Sequence, residues 1–247
     1  MTSRSSGMTV AEAYLRALKS RGVDYLFGNA GTDFAPLIEA LARAADDGDE
    51  DAFPRAVEII HETLTVGMAH GYFLATGRPQ AAMVHVNVGL ANALMGLMNA
   101  SRAQVPVLFA SGRTPLTEQG RLGSRNAPIH WGQEMFDQGG LTREFTKWDH
   151  ELRAGEQVVD LVDRALAIGM SEPKGPTYLS LPREILAESL PDGFTIGPPS
   201  MVAATSPHPD PEAVVAAADL LAEAEQPLIL TSGLPPDPSG HTFDTLA

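Results

Sequence analysis

Two textures of apolar residues alternate along most of the chain: short β-branched runs and longer segments with a helical repeat. Val10, Ala11, Tyr14, Leu15 and Leu18 share one helical face, and Gly22 ends that helix. Residues 23–27 read as a strand. The turn Gly28-Asn29-Ala30-Gly31 then leads through Thr32 and Asp33 into a helix carrying Leu37, Ile38 and Leu41. The acidic run over 46–51 reads as a solvated excursion. A strand over 57–60 runs into a helix that opens at Glu62. Next come a strand over 82–86, a helix over 90–100 and a strand over 105–111. A Gly-rich polar segment over 112–142 precedes a helix over 156–167 and a strand over 177–181. Strands alternating with helices predict the α/β class, a doubly wound parallel sheet covered on both faces. In such sheets ligands sit beyond the carboxyl ends of the strands. Those ends carry Gly28 to Asp33, His61 and Glu62, His85 to Asn92, and Gly112 with Arg113.

After Pro182 the texture changes. Prolines and glycines crowd residues 191–211, which read as a linker. A helix over 211–225 and a strand over 227–232 follow, too little to bury a core alone. The expected organisation is a flexible tail over 1–7, an α/β domain over 8–190, a linker over 191–211, and an incomplete start of a further domain over 212–247.

Composition narrows the function classes. With 17 basic against 31 acidic side chains, the net charge of −14 repels phosphate backbones and anionic lipid, so neither nucleic acid nor a membrane is an expected partner. There are no cysteines, which removes disulfides, thiolate metal sites and cysteine nucleophiles together. The first residues, MTSRSSG, have no apolar segment behind them, and the expected location is cytoplasmic. No protein metal site is expected, since the seven histidines show no i, i+4 pairing beside a glutamate.

The feature that most invites a chemical explanation is Glu62. Leu64, Val66, Gly67, Met68, Gly71 and Tyr72 follow it at helical spacing with almost no charge, so the acid is expected to open a helix buried on most sides. A carboxylate at a helix N-terminus gains from the macrodipole, typically about 0.3–1 kcal/mol, which is a sufficient structural reason by itself.

Five segments, in order, supply a further reason: MTVAEAYLRALKSRGVDYLFGNAGTDFAPLIEAL, HETLTVGMAHGYFLATGRP, VHVNVGLANALMGLMNASRAQVPVLFASG, GQEMFDQGGLTREFTKW and GPTYLSLP. Together they resemble the N-terminal, pyrimidine-binding domain of thiamine diphosphate-dependent enzymes of the acetolactate synthase and benzoylformate decarboxylase group, over about residues 8–182. The resemblance implies a 2-keto acid decarboxylase or carboligase, with Glu62 as the acid that hydrogen-bonds the aminopyrimidine and favours its imino tautomer. In a dry pocket such a bond is strong, and burial would raise the pKa of that acid. His85 matches an active-site histidine of benzoylformate decarboxylase. Asn29, Ala30, Gly31 and Asn92 match cofactor-side positions. Thr32, Asp33, Arg113 and Gln133 are substrate candidates. Each has a plainer reading: a strand-end histidine, an asparagine satisfying helix-end groups, and, for Arg113, a salt bridge with a nearby acid, which is the favoured one. His130 and Trp131 read as packing, and His61 as structural.

The family's Gly-Asp-Gly motif, which binds Mg²⁺ and the diphosphate in a third domain, does not occur in this sequence. The resemblance therefore implies only the aminopyrimidine half of the site, with Mg²⁺ on a partner domain. It also implies a homodimer or hetero-oligomer with a separately encoded diphosphate-binding subunit. Two other readings stay open: a non-catalytic homologue that regulates a full-length relative, and a generic α/β module for another small ligand. An intact Glu62 in an apolar helix argues against the first.

Overall fold

The computed structural model describes residues 7–230. Six strands form one parallel sheet: β1 (Tyr25–Asn29), β2 (Arg55–Glu58), β3 (Gln80–Val84), β4 (Val107–Arg113), β5 (Asp149–Glu151) and β6 (Thr177–Pro182), in the order β2-β1-β3-β4-β6-β5. The larger helices of the sheet unit are α1 (Val10–Ser20), α2 (Ala35–Asp47), α3 (Glu62–Thr76), α4 (Val86–Arg102) and, after the four-residue α5 (Ile129–Gly132), α6 (Val158–Met170). Short α7 (Arg183–Leu186) follows β6.

The sheet is buried on both faces, as the sequence pattern requires. On one face Leu26, Met83, Leu108 and Leu179 pack with α1, α2 and α6. On the other, Phe27, Val84, Phe109 and Tyr178 pack with α3 and α4. The chain leaves β1 towards β2 on one side and returns to β3 on the other, so the strand order reverses between β1 and β3. Such a reversal opens a crevice at the carboxyl ends, and here Gly28 to Asp33 and His85 flank it.

Local signals set several boundaries. Thr9 and Glu12 close α1 with a reciprocal capping box, at 3.2 and 2.6 Å. Gly48 and Gly77 end α2 and α3 in the left-handed conformation, at φ 70° and 69°. Other boundaries differ from expectation. The strand over 57–60 occupies Arg55–Glu58 instead, leaving Ile59 buried and Ile60 92% exposed. Strand β3 ends at Val84, and α4 starts at Val86 rather than near residue 90, which makes His85 its N-cap residue. Strand β3 is buried at all five positions, so no apolar–polar alternation marks its end. The acidic run is partly helical, since α2 continues to Asp47, and a 3₁₀ turn, Glu50–Ala52, follows. The edge strand β5, Asp-His-Glu, is too short and polar to show as a strand in sequence.

The described residues divide into two units between Ala204 and Thr205. Part of the segment read as a linker belongs to the first unit, where the Ser200 N–H donates to Asp163 and the Ala204 N–H to the Ser171 hydroxyl. The second unit carries α8 (Pro211–Glu223), capped by Asp210 and with none of its side chains buried. Residues 227–230 form no strand, and the rest of the strand expected over 227–232 lies outside the described residues.

Candidate functional site

Glu62 is the first residue of α3, after His61, whose Nδ1 accepts the Thr63 N–H at 3.3 Å. The carboxylate is half-buried rather than enclosed. Its Oε2 accepts a hydrogen bond from the Asn92 amide at 3.2 Å, and its Cγ lies where a Cβ on Gly89 would meet it at 3.5 Å. Gly89 of α4 thus lies in van der Waals reach of the acid. Asn92 does not serve free helix-end groups: it lies in the second turn of α4, and its own carbonyl accepts the Thr63 hydroxyl at 2.8 Å. Oε1 of Glu62 has no hydrogen-bond partner among the described residues.

The expectation that α3 is buried on most sides is not met within this chain. Thr65, Val66, Ala69 and Phe73 face the core, while Leu64, Met68 and Leu74 are exposed. The helix is apolar all round, but the sheet covers only one of its sides.

His85 sits between Glu62 and the end of β1. Its Nδ1 lies 2.6 Å from Asp33 Oδ1, and its Nε2 lies 3.2 Å from the Gln133 side-chain nitrogen. The hydrogen bond to Asp33 raises the imidazole pKa and outweighs burial, which lowers it, while the charges of Asp33 and Glu62 add to the rise. Asp33 itself is 2% exposed, and its Oδ2 accepts the Val86 N–H at 3.1 Å. The Asn29 amide donates to the Ile59 carbonyl at 2.7 Å, so it braces the neighbouring strand end. Ala30 and Thr32 are exposed at the mouth of the crevice and Gly31 is half-buried.

Arg113 ends β4 in ion pairs with Glu134 and Glu151, at 3.2 and 3.1 Å, and donates to the Met135 carbonyl at 3.3 Å. Glu134 is shared with Arg125, whose guanidinium lies over the Trp131 ring. His130 is buried, and burial first, then the cations Arg183 and Arg125, lower its pKa.

Glu62, His85, Asn92, Asp33 and Gln133 are therefore brought together, whereas Arg113 is committed to acids and Asn29 to a backbone carbonyl. Some residues that shape the loops were not legible. Glu184 is buried, and its Oε1 accepts the Leu116 and Thr117 N–H groups. Arg183 donates to the Gly123 and Ser124 carbonyls. Gln138 links Ser111, Gly112 and Tyr178 from inside the Gly-rich segment. In sequence the only signal was a charged pair after a buried strand. Cavities of about 940 Å³, beside α1, α2 and α7, and about 430 Å³, beside Arg113 and Tyr178, both lie away from Glu62 and His85.

Known proteins share the family and the fold of this chain. The family described as thiamine pyrophosphate enzyme, N-terminal TPP binding domain, matches residues 8–141. Benzoylformate decarboxylase of Pseudomonas aeruginosa is 27% identical over 242 residues, 97% of this chain and 41% of that protein. The acetolactate synthase large subunit of Parasynechococcus marenigrum is 26% identical over 226 residues, 90% of this chain and 34% of that protein. Sulfoacetaldehyde acetyltransferase of Rhodobacter capsulatus is 27% identical over 223 residues, with coverage of 90% and 34%. The chain thus spans 34 to 41% of the length of these relatives. The crystal structure of benzoylformate decarboxylase from Polynucleobacter necessarius shares the fold, with a TM-score of 0.70 at 23% identity over 89% of this chain and 38% of that one. Since the family match takes in more than half of the chain, including strands β1 to β4, this chain belongs to the family of the N-terminal TPP binding domain of thiamine pyrophosphate enzymes.

Proposed function

We propose that this chain supplies the aminopyrimidine half of a thiamine diphosphate site in a 2-keto acid decarboxylase or carboligase. The observation that carries the reading is Glu62: a half-buried acid at the start of an apolar helix, one oxygen held by Asn92 and the other without a hydrogen-bond partner among the described residues. That arrangement fits the group. An aminopyrimidine ring presents a nitrogen that needs one acid, and an open carboxylate oxygen backed by a glycine helix face offers it. Thiamine diphosphate, when bound, supplies the nucleophilic carbon and the electron sink for breaking the bond beside a keto group.

The chain's own residues do the rest. Glu62 holds the proton at the ring nitrogen, and Asn92 fixes the carboxylate so that Oε1 faces outward. His85, through Nε2, holds or delivers a proton at the substrate carbonyl oxygen. Ala30, Gly31 and Thr32 form the turn that would border a bound aminopyrimidine, and Gln133 brings the Gly-rich segment to the imidazole. Arg113, its charge balanced by Glu134 and Glu151, shapes that segment.

The diphosphate and Mg²⁺ ligands belong, in this reading, to a domain beyond these 247 residues, on a separate subunit that completes the site. The open setting of Glu62, whose carboxylate is only half-buried, supports a further contribution to the site. Calorimetry tests it. The 247-residue chain alone is expected to bind thiamine diphosphate weakly or not at all, and binding is expected to appear when a polypeptide bearing the diphosphate-binding domain is added. Micromolar, Mg²⁺-dependent binding by the chain alone would overturn the half-site.

A further inference from the structure

We infer that Asp33 is a positioning residue that fixes the tautomer of His85, so that Nε2 is the nitrogen presented to the site and the Gln133 amide reads its protonation state. The inference deepens the function proposed above, but its test needs no cofactor, so the two can fail separately.

The donor and acceptor inventory decides the tautomer. An ionised carboxylate can only accept, and Asp33 Oδ2 already accepts the Val86 N–H at 3.1 Å. Oδ1, 2.6 Å from His85 Nδ1, therefore requires a hydrogen on that nitrogen. Nε2 of the neutral ring is left with its lone pair, and the Gln133 amide nitrogen stands 3.2 Å away, placed to donate to it. When Nε2 takes a proton, both ring nitrogens become donors, and Gln133 must turn its oxygen to face the ring.

Three strand ends are shaped around this pair. A Cβ on Gly31 would lie 2.2 Å from the imidazole, and one on Gly112 would lie 1.6 Å from Asp33 Oδ2, so a side chain at either position would displace the ring or the carboxylate. Val86, a β-branched residue, sits at φ 33°, a conformation that costs free energy and that the Asp33 carboxylate stabilises through the backbone N–H. The same acid thus fixes the backbone at the start of α4 and the ring that precedes it. The charged and titratable groups around the ring are Asp33 from the β1–α2 turn, Glu62 from α3 and His130 from α5. Of these groups, Asp33 is the one hydrogen-bonded to it among the described residues.

The experiment is ¹⁵N NMR of the ring nitrogens in the histidine-labelled full chain, with His85 assigned from the signals lost in His85→Gln. The expected result is a neutral ring protonated at Nδ1, with Nε2 as the site that titrates. Asp33→Asn is expected to mix the two tautomers and to move the titration to lower pH. Gly31→Ala, which pushes the ring off Asp33 without altering the acid, is expected to do the same. A wild-type ring protonated mainly at Nε2 when neutral would overturn the inference, and this measurement stands even if Asp33→Asn fails to fold. Unchanged tautomer and titration in the folded variants would also overturn it.

Discussion

Replacing Glu62 with Gln separates the structural and chemical roles of this acid by magnitude. The substitution keeps the side-chain shape and an oxygen that accepts the Asn92 amide, so the 3.2 Å bond survives. What is lost is the charge at the first position of α3, worth about 0.3–1 kcal/mol to a helix N-terminus. For a domain of this size 1 kcal/mol moves Tm by roughly 2–4 °C, so the melting temperature of the chain should fall by no more than about 4 °C. The chemical loss is larger. A neutral amide cannot exchange the proton that sets the aminopyrimidine tautomer, and a lost general acid–base contribution is at least about 10²-fold, or about 2.7 kcal/mol. The assay is hydrogen–deuterium exchange at C2 of thiamine diphosphate, followed by NMR in the assembled site, beside a thermal melt of the chain alone. Exchange within a few-fold of wild type in an intact assembly would refute the catalytic role. A melting temperature lowered by more than about 10 °C would show instead that the acid mainly holds the helix.

Three other predictions rest on the same structure. Leu74 is 61% exposed, Met95 59% and Val88 57%, and apolar surface of this kind on α3 and α4 is expected to drive association, so light scattering at micromolar concentration should find no monodisperse monomer. Arg21 and Asp163 form a bidentate pair at 2.7 and 3.2 Å with side chains 7% and 1% exposed, and Asp163→Ala should cost about 3–5 kcal/mol in urea unfolding by stranding the guanidinium. Burial alone would raise the Asp163 pKa, but the bonds from Arg21 and the Ser200 N–H outweigh it and lower it. The pair's contribution is therefore complete above about pH 4, the unfolded carboxylate value, and is lost as pH falls through the lower folded value, which acid titration of stability in wild type against Asp163→Ala would display. Gly112→Ala places a methyl on the Asp33 carboxylate and should cost about 1–3 kcal/mol, and a neutral result in chemical denaturation would show that the strand ends are looser than described.

The sequence by itself determined the class of fold and the position of the acid. Apolar runs alternating with amphipathic segments demand a parallel sheet sandwiched by helices, and an acid opening an uncharged helix after a strand places Glu62 at a carboxyl-end crevice. Both follow from local periodicity, which any chain with this pattern must satisfy. Strand ends were less legible, because a strand buried on both faces, such as β3, has no alternation to show where it stops, and so His85 reads as a strand residue although it caps α4. The site's pairings were decided by tertiary structure alone. Asp33 and His85 are 52 positions apart and meet because β3 lies directly beside β1, an order set by how the helices cover the two faces. Asn92 reaches Glu62 across 30 positions because α4 packs against α3 with a glycine beneath the acid. For Arg113 the sequence favours a salt bridge but cannot name its partner, and the fold brings Glu134 and Glu151 to it from two separate segments. Contacts of this kind depend on which strand ends become neighbours, and periodicity along the chain carries no information about that.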